Sequence, residues 1–244
     1  MRAILRARYR CFMNNSSMKA VVTGHSKGLG AALTAQLEAD GWDVLGVSRS
    51  AGAGVDLGSP SALTAWLESG ELTGFLADAT EIILINNAGS VAPIGFVGAQ
   101  DASAIERSVN LNVTAPLLLT DAVIRQRPAG VPVRVVHISS GAGRRPFEAW
   151  STYCATKAAV DMHATALAEE GLEGVRISSI APGVVDTGMQ ESIRGADFPG
   201  RDQFQSMKDN GQLSSPDDAA RSILALLARE DFGTKVLSDV REAG

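Results

Sequence analysis

Short apolar runs alternate with helical patterns along almost the whole chain, and this alternation limits the possible folds more than any other feature. Residues 19–23 (KAVVT), 43–47, 81–85, 133–138 (VRVVHI), 175–180 and 235–237 read as strands, mostly buried on both faces. Between them, residues 28–40, 62–68, 104–127, 152–170 and 216–229 have helical spacing. Ser59 with Pro60 offers an N-cap and a first-turn proline, and Gly41 offers a helix stop. Residues 186–210 read as a loop. Strands alternating with helices predict a single α/β domain, a doubly wound parallel sheet with helices on both faces. Such sheets bind ligands at the carboxyl ends of their strands, near the point where strand order reverses.

With 244 residues the chain is long enough for one sizeable core, and nothing in it reads as a linker or repeat. The first 17 residues stand apart, with four arginines and no acid. They are expected to lie outside the fold, as a frayed extension, a start placed too early or an Arg-rich leader. Without them 18 basic residues face 27 acidic ones, a net of −9, and no basic stripe is left to attract nucleic acid. No apolar stretch is long enough for a membrane span. Two cysteines and three histidines show no disulfide or metal spacing, so a reducing, cytoplasmic setting without metal is expected.

The segment Thr23-Gly24-His25-Ser26-Lys27-Gly28-Leu29-Gly30 lies between the first strand and the first helix. Glycines there let the backbone approach a pyrophosphate, and the helix N-terminus supplies amide donors. Three glycines alone also serve ordinary turns; it is the placement that points to a nucleotide. After the second strand an acid would favour NAD. The chain has Ser48-Arg49 instead, and Lys27 stands in the glycine loop. Two cations and no acid suit a 2′-phosphate, which predicts NADP(H) over NAD(H), although both could be solvated surface charges. Asp56 is placed to meet the adenine or to be a plain loop acid. Asn87, Ala88 and Gly89, in the run Asn86-Asn87-Ala88-Gly89, follow a buried strand and are expected to line the same cleft.

Tyr153 and Lys157 are four apart at the start of a helix and share one face. A phenol ordinarily titrates near 10, and a neighbouring cation lowers that value toward the range useful in acid–base catalysis. Ser140, at the end of the strand VRVVHI, can donate a hydrogen bond to a substrate oxygen, and Asn110 can kink its helix and hold a water. Such a Tyr–Lys pair also occurs on ordinary surface helices.

The motifs TGHSKGLG, NNAG, SVN, ISS, YCATK and APGVVDT follow one another in this order. Across residues 18–244 the chain resembles the short-chain dehydrogenase/reductase family, which implies a Rossmann-type sheet and an NADP-dependent oxidoreductase. The resemblance implies a catalytic tetrad of Asn110, Ser140, Tyr153 and Lys157. Tyr153 would exchange the proton, and Lys157 would lower its pKa and bind the nicotinamide ribose. Ser140 would orient the carbonyl, and Asn110 would support a water relay. Pro182, Gly183, Val185 and Thr187, in the turn after residues 175–180, would flank the nicotinamide.

Substrate choice in the family rests on two variable loops, here residues 141–150 and 189–210. Phe147, Trp150, Met189, Ile193 and Phe204 are candidates for an apolar pocket, and Arg144 or Arg145 for a polar substrate edge; each also fits simple loop packing. APGVVDTGMQ and the C-terminal segment resemble the sepiapterin reductase and benzil reductase branch. The acid that anchors the pterin in sepiapterin reductases aligns with Leu237, two residues before Asp239, which favours a small ketone or diketone as substrate. The family also implies a homodimer or homotetramer. The contrasting reading is a non-catalytic NADP(H) sensor or scaffold on the same fold. A nucleotide-sugar epimerase, which shares the Tyr and Lys, is disfavoured by the short C-terminal region.

Overall fold

The structure, a computed structural model, describes residues 17–242. Six strands form one parallel sheet: β1 (Ser17–Thr23), β2 (Asp43–Val47), β3 (Ala79–Asn86), β4 (Val133–Ile138), β5 (Val175–Ala181) and β6 (Leu237–Asp239). Their order across the sheet is β2-β1-β3-β4-β5-β6. The order reverses between β1 and β3, so the turns after these two strands meet at the switch point, where such sheets bind ligands. Val21 is level with Leu45 of β2 and Leu84 of β3.

Nine helices follow in chain order among the described residues: α1 (Gly28–Ala39), α2 (Pro60–Glu68), α3 (Glu71–Leu76), α4 (Ala102–Val109), α5 (Ala115–Gln126), α6 (Ser151–Glu169), α7 (Gly188–Gly195), α8 (Arg201–Asp209) and α9 (Pro216–Leu227). Ser59, Asp101 and Ser215 cap α2, α4 and α9 by accepting first-turn amides. Alternation along the strands divides the core in two. Val21 and Leu84 face Leu63, Leu72, Leu119 and Leu167 on one side. Val22, Ile83 and Ile85 face Leu33, Leu37 and Ile223 on the other. Each fully buried Leu or Ile contributes about 1.5–3 kcal/mol. A third cluster of aromatic side chains covers the carboxyl end of the sheet.

Several elements differ from the sequence-based expectation. Of the expected extension only Ser17 is described, and it opens β1; residues 1–16 lie outside the described residues. The single helix expected over 104–127 is α4 and α5 joined by a π-turn, residues 110–114, in which the Ala115 amide donates to the Asn110 carbonyl five residues back. The expected loop over 186–210 contains α7 and α8, and α3 fills part of a stretch to which no element was assigned. The last strand begins at Leu237, two residues later than expected.

Candidate active site

The glycine loop crosses the switch point with almost no clearance. A Cβ on Gly30 would lie 2.2 Å from the Gly24 carbonyl oxygen and 2.6 Å from the Asn87 amide, so only glycine fits. Asn87 explains the tightness. Its side chain donates to the Thr23 carbonyl at 2.9 Å, while its own amide and that of Ala88 each donate to the Thr23 hydroxyl at 2.9 Å. The turns after β1 and β3 are thus one braced unit, with Leu29, in the first turn of α1, buried in the core. No side chain caps α1, because its N-cap is Lys27, so its first amides remain free for an anion. Thr187, at the start of α7, reaches this loop: a Cβ on Gly28 would lie 3.2 Å from its methyl group. Gly183 turns with a φ of +75°, and Val185 bridges to Ser214.

Ser26, Lys27 and Arg49 are exposed at the rim. Asp56 is already engaged: its carboxylate accepts from Gly58 N and from Arg107 Nη2, each at 3.0 Å. His25 has a role that the sequence did not reveal. Its ring fills the space a Cβ would need on Gly46 and lies 2.9 Å from one on Gly52, where the Gly46 carbonyl oxygen is nearer still at 1.9 Å.

At the foot of the cleft α6 places Tyr153 and Lys157 on one face, both buried. Ser140 lies beside the Tyr153 phenol, and its hydroxyl accepts the Ala142 amide at 3.2 Å. Lys157 Nζ donates to the Ile138 carbonyl at 2.7 Å and lies 5.7 Å from the centre of the Tyr153 ring. The expected lowering of the phenol by Lys157 is not what this site does. Burial pushes Tyr153 up to about 12, Ser140 pulls it part of the way down, and the neighbouring Cys154 pushes it up. Burial also pulls Lys157 down to about 8, against an upward pull from Asp161. The Lys157 ammonium is turned to a backbone carbonyl.

Asn110 opens the π-turn half-buried, and its neighbour Asn112 occupies the interior. The Asn112 carbonyl oxygen accepts Ser90 N at 2.9 Å, and its amide donates to Ser90 O at 2.8 Å and to Thr156 Oγ1 at 3.1 Å. A Cβ on Gly89 would lie 3.3 Å from Asn112 Oδ1 and 3.6 Å from Lys157 Nζ, which brings the turn after β3 against the lysine.

The chain is similar to known proteins in sequence and fold. The model of the short chain dehydrogenase family matches residues 77–197. A benzil reductase ((S)-benzoin forming) from Bacillus cereus is 34% identical, over 87% of this chain and 94% of its own length. The sepiapterin reductase of Meriones unguiculatus is 32% identical, over 87% of this chain and 92% of its own length. A solved short chain dehydrogenase from Burkholderia cenocepacia in complex with NADP is 27% identical, covers 91% of this chain and 95% of its own, and superposes with a TM-score of 0.72. The chain belongs to the short-chain dehydrogenase/reductase family. The expected branch is borne out with it.

Within this family member the two variable loops close over Tyr153. Trp150 is stacked between Phe147, 5.1 Å away, and Phe204, 5.2 Å away, and meets the Tyr153 ring edge-on at 5.7 Å. Ile193, Phe198 and Phe204 are buried in the same cluster, with Met189 packed against it. All five apolar pocket candidates therefore belong to, or pack against, the cluster that contains Tyr153. The two arginines differ: Arg144 spends its guanidinium on protein groups, and Arg145 lies over the Phe147 ring at 4.6 Å. In the last strand Leu237 is exposed, while Asp239 is buried opposite Ala181 and accepts from Arg241 Nε at 2.8 Å.

Proposed function

We propose that this oxidoreductase reduces a small ketone or diketone with NADP(H), or runs the reverse reaction, with Tyr153 exchanging the proton. The observation that carries the reading is the buried Tyr153 beside Ser140, one helical turn from Lys157 and at the foot of the glycine cleft. The cleft fits a dinucleotide. Gly24, Gly28 and Gly30 allow close backbone approach, and the uncapped amides of α1 suit a pyrophosphate. Gly89, Pro182, Gly183, Val185 and Thr187 form the far wall, toward the nicotinamide. Exposed Lys27 and Arg49 suit a 2′-phosphate, in keeping with the NADP bound by the Burkholderia cenocepacia relative. When bound, this cofactor supplies the hydride.

The chain's own groups do the rest. Tyr153, held protonated by burial, donates its phenolic proton to the developing alkoxide. Ser140 fixes the phenol and presents its hydroxyl to the same oxygen. Lys157 supplies positive charge beneath the phenol and takes the nicotinamide ribose, while Asn110 orders water at the π-turn for proton return. The aromatic cover excludes water and favours an aryl or otherwise apolar ketone. Exposed Val109 on α4 and Met162 on α6 support assembly as a dimer or tetramer through these helices. Among the described residues no helix is long and apolar enough to cross a membrane.

The test is oxidation of NADPH and of NADH against a panel of aryl diketones, aliphatic ketones, aldehydes and pterins, Asp239 giving the pterin arm its reason. Turnover of diketones with a clear preference for NADPH is expected. Equal use of both cofactors would sink the 2′-phosphate assignment. A Tyr153→Phe variant should lose about 10²–10⁴-fold in kcat; full activity would sink the mechanism, and NADPH binding without turnover of any substrate would favour the sensor reading.

A further inference from the structure

Gly143 follows Ser140 by three residues and presses directly on α6. A Cβ there would lie 2.8 Å from the Lys157 carbonyl carbon and 3.0 Å from Asp161 Oδ2. The next residue, Arg144, commits each guanidinium nitrogen to a different element. Nε donates to Asp161 Oδ2 on α6 at 3.1 Å, Nη2 to the Ser179 carbonyl on β5 at 3.0 Å, and Nη1 to the Ser238 carbonyl on β6 at 3.1 Å. Asp161 is buried, and its other oxygen accepts the Ser179 hydroxyl at 2.6 Å.

We propose that Arg144 and Asp161 are positioning residues for the proton transfer: they clamp the Ser140 turn onto the Lys157 turn of α6 and balance the charge around Lys157. This rests on the reaction proposed above. Ser140 and Tyr153 come from different elements, a strand end and a helix, and they can meet one substrate oxygen only if the two keep one relative height. The pair fixes that height from both sides, and β5 and β6 serve as its anchor.

A buried ion pair is weak evidence of stabilisation, since desolvation offsets most of its attraction. Its position is what matters. Asp161 stands one turn beyond Lys157 and pulls that ammonium toward its charged form, while Arg144 holds the same carboxylate and tempers the pull. The other groups facing Lys157 are the Tyr153 phenol, the Ile138 carbonyl, and His137 on β4, whose burial keeps it neutral at working pH. Asp161 is the carboxylate whose pull offsets the burial of Lys157.

The two partners therefore act on Lys157 with opposite sign, and this separates positioning from mere structure. In D161N the ammonium should be lost at lower pH, so the alkaline decline of kcat moves down. In R144M the unpaired carboxylate strengthens its pull, and the decline moves up. Both should lose about 10- to 100-fold in kcat, as expected for a small misplacement of reacting groups, with KM changed less than kcat. R144K, which keeps the charge, should restore the position of the alkaline limb but only part of the rate. It also serves if R144M does not fold.

Carbon-13 NMR of the Lys157 side chain reads the same opposite shifts without turnover. If no substrate turns over or Tyr153→Phe stays active, the reaction proposal fails, and the NMR shifts alone decide the charge balance. Both limbs moving the same way, or kcat unchanged in folded variants, would overturn the positioning role.

Discussion

A phenol held near 12 beside an ammonium held near 8 defines what each residue can do at neutral pH. In the proposed reaction Tyr153 enters protonated, which suits carbonyl reduction. Lys157 carries its charge below about 8 and loses it above. NADPH-dependent reduction should accordingly decline as pH rises through about 8, and a Lys157→Met variant should lose that limb along with most of its kcat; a limb that stays in place would assign it to another group. Tyr153 and Lys157 were legible because four residues make one helical turn. Asn112 was not. In SVNLN either asparagine can face inward, and the π-turn, which no periodicity announces, moves the face round by a residue. Asn112→Ala strands the polar groups of Ser90 and Thr156 and should cost about 1–3 kcal/mol in urea unfolding. An unchanged midpoint would mean that water replaces the amide.

At the scale of elements, the aromatic cover, a lid built from residues 147–150 with α7 and α8, packs against Tyr153. α7 and α8 bring Ile193 and Phe204 onto Trp150, and Trp150 onto Tyr153. These helices were hidden in the sequence because Gly195, Pro199 and Gly200 interrupt them and few of their residues are apolar. The sheet was legible for the opposite reason: buried parallel strands are apolar on both faces and stand out as runs. β6 was misplaced because only three residues pair, with an exposed Leu237 at their head. The lid ties substrate binding to the titration of Tyr153. Trp150→Ala should raise KM for an aryl ketone, and by admitting water it should lower the Tyr153 pKa, since burial is the largest cause of its elevation. Ultraviolet titration of the phenol and steady-state kinetics check the two effects separately; a phenol that titrates as before would mean that the lid does not shield it.

For the molecule as a whole, the sheet carries a titration that bears on stability. His137 on β4 is fully buried, and its Nε2 and Nδ1 contact His163 Nδ1 at 3.0 Å and Asn86 Nδ2 at 3.2 Å. An amide nitrogen only donates, so His137 Nδ1 accepts and the imidazole is neutral with its proton on Nε2. Burial, reinforced by His163 and Lys157, pulls His137 down to about 3, from an ordinary value of 6.5. Between those values the unfolded chain binds a proton that the folded one refuses. Stability from this residue is therefore fully present above about 6.5 and drains as pH falls toward 3, by about 1.4 kcal/mol per pH unit at the steepest. His137→Gln, which keeps an acceptor and a donor at the site, should flatten the fall of the urea midpoint between pH 6.5 and 4.5 relative to the parent chain. Parallel curves for the two proteins would show that the buried carboxylates, and not this histidine, set the acid limit of the fold.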